Sequence, residues 1–101
     1  MHVYRGTTPT ISYRLPFAAD QLAEASIAVA QNGKVALEKM MDECILEGDT
    51  ITAELSQQDT LKLDAQQLAE VQLRVRTLAG EALATDPVVV TVGRILRDGV
   101  I

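Results

Sequence analysis

The sequence predicts an all-β domain folded as an antiparallel sandwich or barrel, and three observations carry that expectation. Five runs alternate apolar and polar residues with a period of two, the pattern of half-buried strands. Turn residues at strand-sized intervals separate these runs. The run Val88-Val89-Val90-Thr91-Val92 is rich in β-branched side chains and needs neighbouring strands to pair with.

Each element follows in chain order. Thr8-Pro9 precedes a run in which Ile11, Tyr13 and Leu15 face one way and Ser12 and Arg14 the other; Leu15-Pro16 closes it. Ala25, Ile27 and Val29 then alternate with Ser26, Ala28 and Ala30. Asn32-Gly33 is the strongest short turn signal in the chain, set between two apolar runs as a two-residue hairpin would be. Ile51, Ala53 and Leu55 alternate with Thr52 and Glu54, and Val71, Leu73 and Val75 with Gln72, Arg74 and Arg76. Gly48-Asp49, Ala79-Gly80 and Asp86-Pro87 mark further breaks. Two segments also fit helices. Residues 34–47 place Leu37, Met40, Met41, Cys44 and Ile45 at helical spacing, and residues 64–78 do the same with Leu68, Val71, Val75 and Leu78. Their Ala, Gln, Leu, Glu and Met favour helix on propensity alone. The flanking turns and the strand at 88–92 favour β-structure, and periodicity leaves both readings open.

Composition bounds the rest. The 101 residues, 10.9 kDa, suit a single domain spanning 1–101. A hydrophobic share of 48% is too high for a disordered chain. The net charge of −5 and pI near 4.7 argue against a nucleic-acid footprint, which needs a basic face. No stretch approaches the apolar length of a membrane helix, and the start resembles no secretory signal. Cys44, the only cysteine, cannot form an internal disulfide and suits a reducing interior.

The chain offers little chemistry, and no catalytic, cofactor-binding or metal-ligating residue is assigned. His2 is the only histidine and is expected to fray at the terminus. Cys44 lies among Asp42, Glu43 and Glu47, whose charges oppose thiolate formation, and is read as a small half-buried hydrophobe. Asp42, Glu43, Glu47 and Asp49 lack the spacing of a calcium loop and are read as a solvated hairpin. No glycine-rich phosphate loop or nucleophile elbow is present. Arg74, Arg76, Arg94 and Arg97 are the one basic concentration, with Arg74 and Arg76 on the outward face of one strand. The stretch from Gly93 ends in Arg97-Asp98-Gly99-Val100-Ile101, whose apolar residues either pack back on the domain or meet another subunit.

The turn and strand motifs, taken together, resemble a known family. Arg5-Gly6-Thr7-Thr8-Pro9-Thr10 with Leu15-Pro16-Phe17 is similar to the start of small proteins from phages and prophages of Gram-positive gut bacteria. The likeness runs on through Ala30-Gln31-Asn32-Gly33-Lys34-Val35, Leu46-Glu47-Gly48-Asp49-Thr50-Ile51 and Leu55-Ser56-Gln57-Gln58-Asp59-Thr60-Leu61. It ends with Val71-Gln72-Leu73-Arg74-Val75 and Val92-Gly93-Arg94-Ile95-Leu96. The alanines at 18, 19, 23, 25, 28 and 30 depart from it, standing where β-branched residues are expected. The resemblance implies an immunoglobulin-like antiparallel β-sandwich of about seven strands, as in the N-terminal domains of phage baseplate upper proteins.

On that fold the strands fall near 8–15, 24–31, 34–41, 44–47, 50–56, 69–77 and 82–95, with a turn or one-turn helix at Asp59–Asp64. The expected core is Ile11, Tyr13, Leu15, Ile27, Val29, Val35, Leu37, Ile51, Leu55, Leu61, Val71, Leu73, Val75, Val88, Val90 and Val92. The resemblance implies a non-enzymatic structural or assembly protein of a phage tail or baseplate, without cofactor. Its partners would be other phage structural proteins or copies of itself, with neither nucleic acid nor membrane involved. It would be made in the host cytoplasm, with the virion as one destination. The rival is a sandwich module that binds a carbohydrate or peptide, although three aromatics leave little for a sugar site.

Overall fold

A computed structural model of the chain describes residues 2–101. In chain order its elements are β1 (His2–Tyr4), β2 (Thr10–Arg14), β3 (Leu22–Gln31), β4 (Lys34–Met40), β5 (Ile45–Glu47), β6 (Thr50–Glu54), α1 (Gln57–Leu61), β7 (Leu68–Thr77), β8 (Ala82–Ala84) and β9 (Val88–Gly93). Short 3-10 turns at Ala19–Gln21 and Met41–Glu43 complete it. The strands form two sheets. The larger has the order β1-β9-β7-β3-β4, with β8 also on β7; the smaller has the order β2-β6-β5. Every pairing is antiparallel except β1 with β9.

The two segments that fit helices as well as strands are strands. Asn32 and Gly33 have φ of 52° and 76°, the left-handed pair that a two-residue hairpin requires, and this turn sends β4 back along β3. Pairing with β3 holds β7 extended, and that tertiary context outweighs the propensity of its Ala, Glu and Leu. The short helix expected at Asp59–Asp64 is α1, starting slightly earlier, at Gln57.

Alternation fills the space between the sheets. Ala25, Ile27 and Val29 from β3 and Val71, Leu73 and Val75 from β7 face Ile11, Ile51 and Ala53 from the smaller sheet. Ile27 and Ile51 lose all their solvent exposure. Four expected core residues differ. Val35 is 60% exposed because β4 carries an extra residue at Ala36, where the register shifts between Val29 and Ala30. That bulge turns Val35 to the outer side, opposite Ala30. Val88, 45% exposed, begins β9 where the sandwich is open, and Tyr13 and Leu61 are half-buried. In their place Val3, Leu22, Leu63 and Ala69 join the core.

Two further expectations change. The strand drawn over 82–95 is broken at Thr85–Pro87, where Pro87 has no N–H to give a ladder and the register against β7 slips by one. His2 does not fray but lies in β1, beside β9. There Tyr4 pairs with Gly93, and a Cβ on Gly93 would come within 2.6 Å of the tyrosine ring and 2.7 Å of His2 Nε2. The glycine thus lets two rings fold over the strand.

Ten-residue strands at ~3.3 Å per residue account for most of the 47 Å length, so the long axis follows the strands. The lower end holds α1, the Asn32-Gly33 turn and residues 94–101; the upper end holds residues 15–21, 48–49 and 78–81. One ion pair ties the layers together. Lys39 of β4 reaches Asp59 of α1 at 3.0 Å, while Asp59 accepts from the Ser56 N–H and Ser56 Oγ accepts from the Asp59 N–H. That reciprocal cap starts α1. Burial alone would raise the Asp59 carboxyl, but hydrogen bonds from Ser56 and Lys39 hold it below its ordinary value. Hydrogen bonding to Asp59 lifts the Lys39 ammonium above its own, against the smaller effect of burial.

Ile27→Ala is expected to cost about 2–5 kcal/mol in urea unfolding, and Val35→Ala less than about 0.5 kcal/mol. Asp59→Asn should cost about 1–3 kcal/mol at neutral pH. A carboxyl whose pKa falls on folding stabilises above its unfolded value and loses that contribution as pH drops through the folded one. The gap between Asp59→Asn and the unsubstituted chain should therefore close as the pH falls below about 4. Urea midpoints measured at a series of pH values check this.

Candidate functional site

Among the described residues an open strand edge and a gap between the sheets stand out. β2 is an edge of the smaller sheet. The Leu55 N–H bonds Pro9 O and the Leu15 N–H bonds Asp49 O, so the odd-numbered residues of β2 turn their backbone groups toward β6. Thr10, Ser12 and Arg14 turn theirs toward the open side, where no strand lies among the described residues. Pro9 and Pro16 bracket this edge, and neither has a backbone N–H to give a further partner.

Beside that edge a cleft of about 300 Å³ opens between the sheets on the flank. It exists because β8 is only three residues long and the break at Thr85–Pro87 parts it from β9. Leu73 and Val75 form its floor, Tyr13, Leu15 and Phe17 one wall, and Leu83 and Ala84 the other. Arg14 and Thr85 stand at the mouth. Tyr13 and Phe17 also pack against the core, so the cleft is a continuation of it. Burial pushes the Tyr13 phenol up, against a smaller opposing effect of the Thr85 hydroxyl. A second, shallower hollow shares Arg14 to Phe17 and runs on to Gly48 and Asp49 at the upper end.

Residues 94–101 lie at the lower end. Arg5 binds Asp98, and the Gln57 side chain clasps Ile101 twice, accepting from its N–H at 2.8 Å and donating to its carbonyl at 3.1 Å. Ile95 packs over Gly6, where a Cβ would come within 2.9 Å of its methyl. Gly6 has a φ of 71°, so it is glycine on both counts. The segment does pack back on the domain, yet Leu96 remains 93% exposed and Ile101 88%.

The residues weighed for chemistry are scattered. His2 meets the edge of the Tyr4 ring, with centroids 4.6 Å apart, and lies over Gly93. Asp49 pairs with Arg14 and Glu43 lies near Lys39. Among the described residues no three His, Cys, Asp or Glu side chains stand where they could hold a metal ion. Arg74 and Arg76 share the outer face of β7 as expected, but Arg94 and Arg97 lie in the lower segment, so the four form no single patch. No helix among the described residues is long and apolar enough to cross a membrane. The sequence reading missed the cleft, because Leu83 was counted into one long strand; Asp86-Pro87 was the signal that could have found it.

Comparison with known proteins bears on the fold alone. No family model matches the chain, and no curated protein matches it. Among solved structures it is similar to the Ig-like domain of mouse leukocyte-associated immunoglobulin-like receptor 1, crystallised as a strand-swapped dimer. That match has 9% identity and a TM-score of 0.51, covering 91% of this chain and 85% of the other. The fold is therefore an immunoglobulin-like β-sandwich. In that fold one sheet has the order A-B-E-D and the other contains G, F and C, with C′ added in the variable type. Here β2, β6 and β5 stand as B, E and D, and β9, β7, β3 and β4 as G, F, C and C′. The open side of β2 is the place of strand A.

Burial, and next the charge of Glu43, raise the Cys44 thiol above its ordinary value, with Lys39 opposing. Iodoacetamide at pH 8 should alkylate Cys44 of the folded chain more slowly than free glutathione. Labelling followed by mass spectrometry checks it, and urea should abolish the difference.

Proposed function

We propose that the chain is a non-catalytic structural or assembly protein of a phage or prophage tail, acting through protein–protein contacts. One observation carries this: a strand edge stands open beside an apolar cleft continuous with the core. An open edge offers a neighbouring chain a row of backbone partners, and the cleft offers its side chains a dry pocket. The phage setting rests on the family resemblance of the turn motifs, which together run along most of the chain.

A second reading has its own support. Tyr13 and Phe17 in the cleft wall suit a sandwich module that binds a peptide or a sugar. The lining favours protein side chains over sugar, since it is mainly aliphatic and offers few hydrogen-bonding groups.

The test is to raise antibody to the purified chain and probe particles from the source bacterium after prophage induction. The chain should co-sediment with tails or tail-assembly intermediates. Its absence from both, together with saturable binding on a glycan array, would replace the assembly reading with the binding-module one.

A further inference from the structure

The outer face of the larger sheet sorts its charges along the strands. Arg74 and Arg76 stand in the upper half of β7, with Glu70 of β7 and Glu38 of β4 in the lower half. All four are exposed, and none forms an ion pair among the described residues. Glu24, across from Arg76, accepts from the Ala25 N–H at 3.1 Å and so stays with its own backbone. A hollow of about 260 Å³ opens in the upper half of this face, and Ser26, Met40, Arg74 and Arg76 are part of its lining.

This arrangement is complementary to itself. The outward side chains of β7 run, from bottom to top, Leu68, Glu70, Gln72, Arg74 and Arg76. Reversed and laid on itself about the row of Leu73, that order sets Glu70 against Arg76 and Gln72 against Arg74. The same reversal sets Ser26 against Ala28 on β3 and Glu38 against Met40 on β4. Glu38 of the reversed copy then arrives at the hollow beside Met40, across Ser26 from Arg74. No charge meets its own kind, because Glu24 falls against Ala30. Ser26 and Ala28 are small, so they keep neither sheet from approaching the other.

We infer that two copies of this chain pair by these outer faces about a two-fold axis lying across the strands, Glu70 of each against Arg76 of the other and Glu38 of each at the other's hollow. The contact deepens the assembly reading by naming a self-contact, and rests on it for its setting. It is isologous, so it closes at two copies. The smaller sheet, with its open β2 edge, stays on the outside of the pair. Four strands ~4.8 Å apart and ten residues long at ~3.3 Å per residue offer roughly 600 Å² per copy. That is the lower end of the range for specific interfaces, so the pair exchanges readily with single copies.

Sedimentation equilibrium from roughly 1 µM to 1 mM protein tests this, the range in which a contact of this size forms. The mean mass of the unsubstituted chain should rise toward that of two copies, and should need more protein to do so in high salt. Glu70→Arg and Arg76→Glu each set like charges together at both contacts, and each should raise the dissociation constant about tenfold or more. An equimolar mixture of these two variants should pair again, and so should the double variant Glu70→Arg/Arg76→Glu, because both restore opposite charges at each contact. Circular dichroism identifies a variant that fails to fold. If a charge reversal does so, Ala28→Arg on the outer face of β3 takes its place and should stay monomeric. An unsubstituted chain that is monomeric throughout, pairing undiminished in a folded single variant, or a folded double variant that stays monomeric would overturn the inference. Such failure leaves membership of a phage particle standing, since that is read from particles and not from purified copies.

Discussion

The pairing of β3 with β7 is the constraint on which the molecule depends. Both strands are ten residues long; β4, β8 and β9 each pair with one of these two, and β1 joins through β9. The pairing sets Ala25 beside Val75, Ile27 beside Leu73 and Val29 beside Val71, all turned inward. A slip of one residue would drive Glu70, Gln72, Arg74 and Arg76 into the core, so the register is strongly specified. No tight turn links the two strands. The chain completes β4, β5, β6 and α1 between them. The most important pairing is therefore also one of the least local, the kind that forms late and slowly.

Much of this was legible because alternation in a two-layer fold is a direct readout of which way side chains point. Ile11, Ile27, Val29, Ile51, Leu73 and Val90 were placed in the core by parity alone, and they are there. Parity fails where the ladder is irregular. Val35 stands across a bulge, and Val88 stands at a strand start beside a break. β1 is too short to show any period and is defined by its partner β9. The alanines that departed from the expected pattern divide by parity too: Ala25 packs inside, while Ala28 and Ala30 lie on the outer face of β3. The flank cleft was not legible in the alternation, because it is made by an interruption between β8 and β9, marked in sequence only by Asp86-Pro87, and an unfilled place beside β2. Neither leaves a periodic mark.

The open side of β2 is a liability as well as an opportunity. An unpaired edge above apolar surface invites indiscriminate pairing, and natural sheets blunt such edges with proline and charge. Here Pro9 and Pro16 stand just outside the two ends, and Arg14 is fixed by Asp49 beside the mouth. A strand entering from a neighbour has only Thr10, Ser12 and Arg14 to pair with. The edge is short enough to select what joins it.

The single parallel pairing has a mechanical consequence. β1 and β9 run side by side in the same direction, His2 against Thr91 and Tyr4 against Gly93. Tension applied through residues 2 and 101 would pull β1 back along its length while drawing β9 forward. Strands loaded in this way slide against each other, and their hydrogen bonds resist together instead of opening one after another. The Arg5–Asp98 bridge lies just beyond the pair and shares that load. A domain joined to its neighbours through its two ends would thus carry stress along its longest direction at a three-residue clamp.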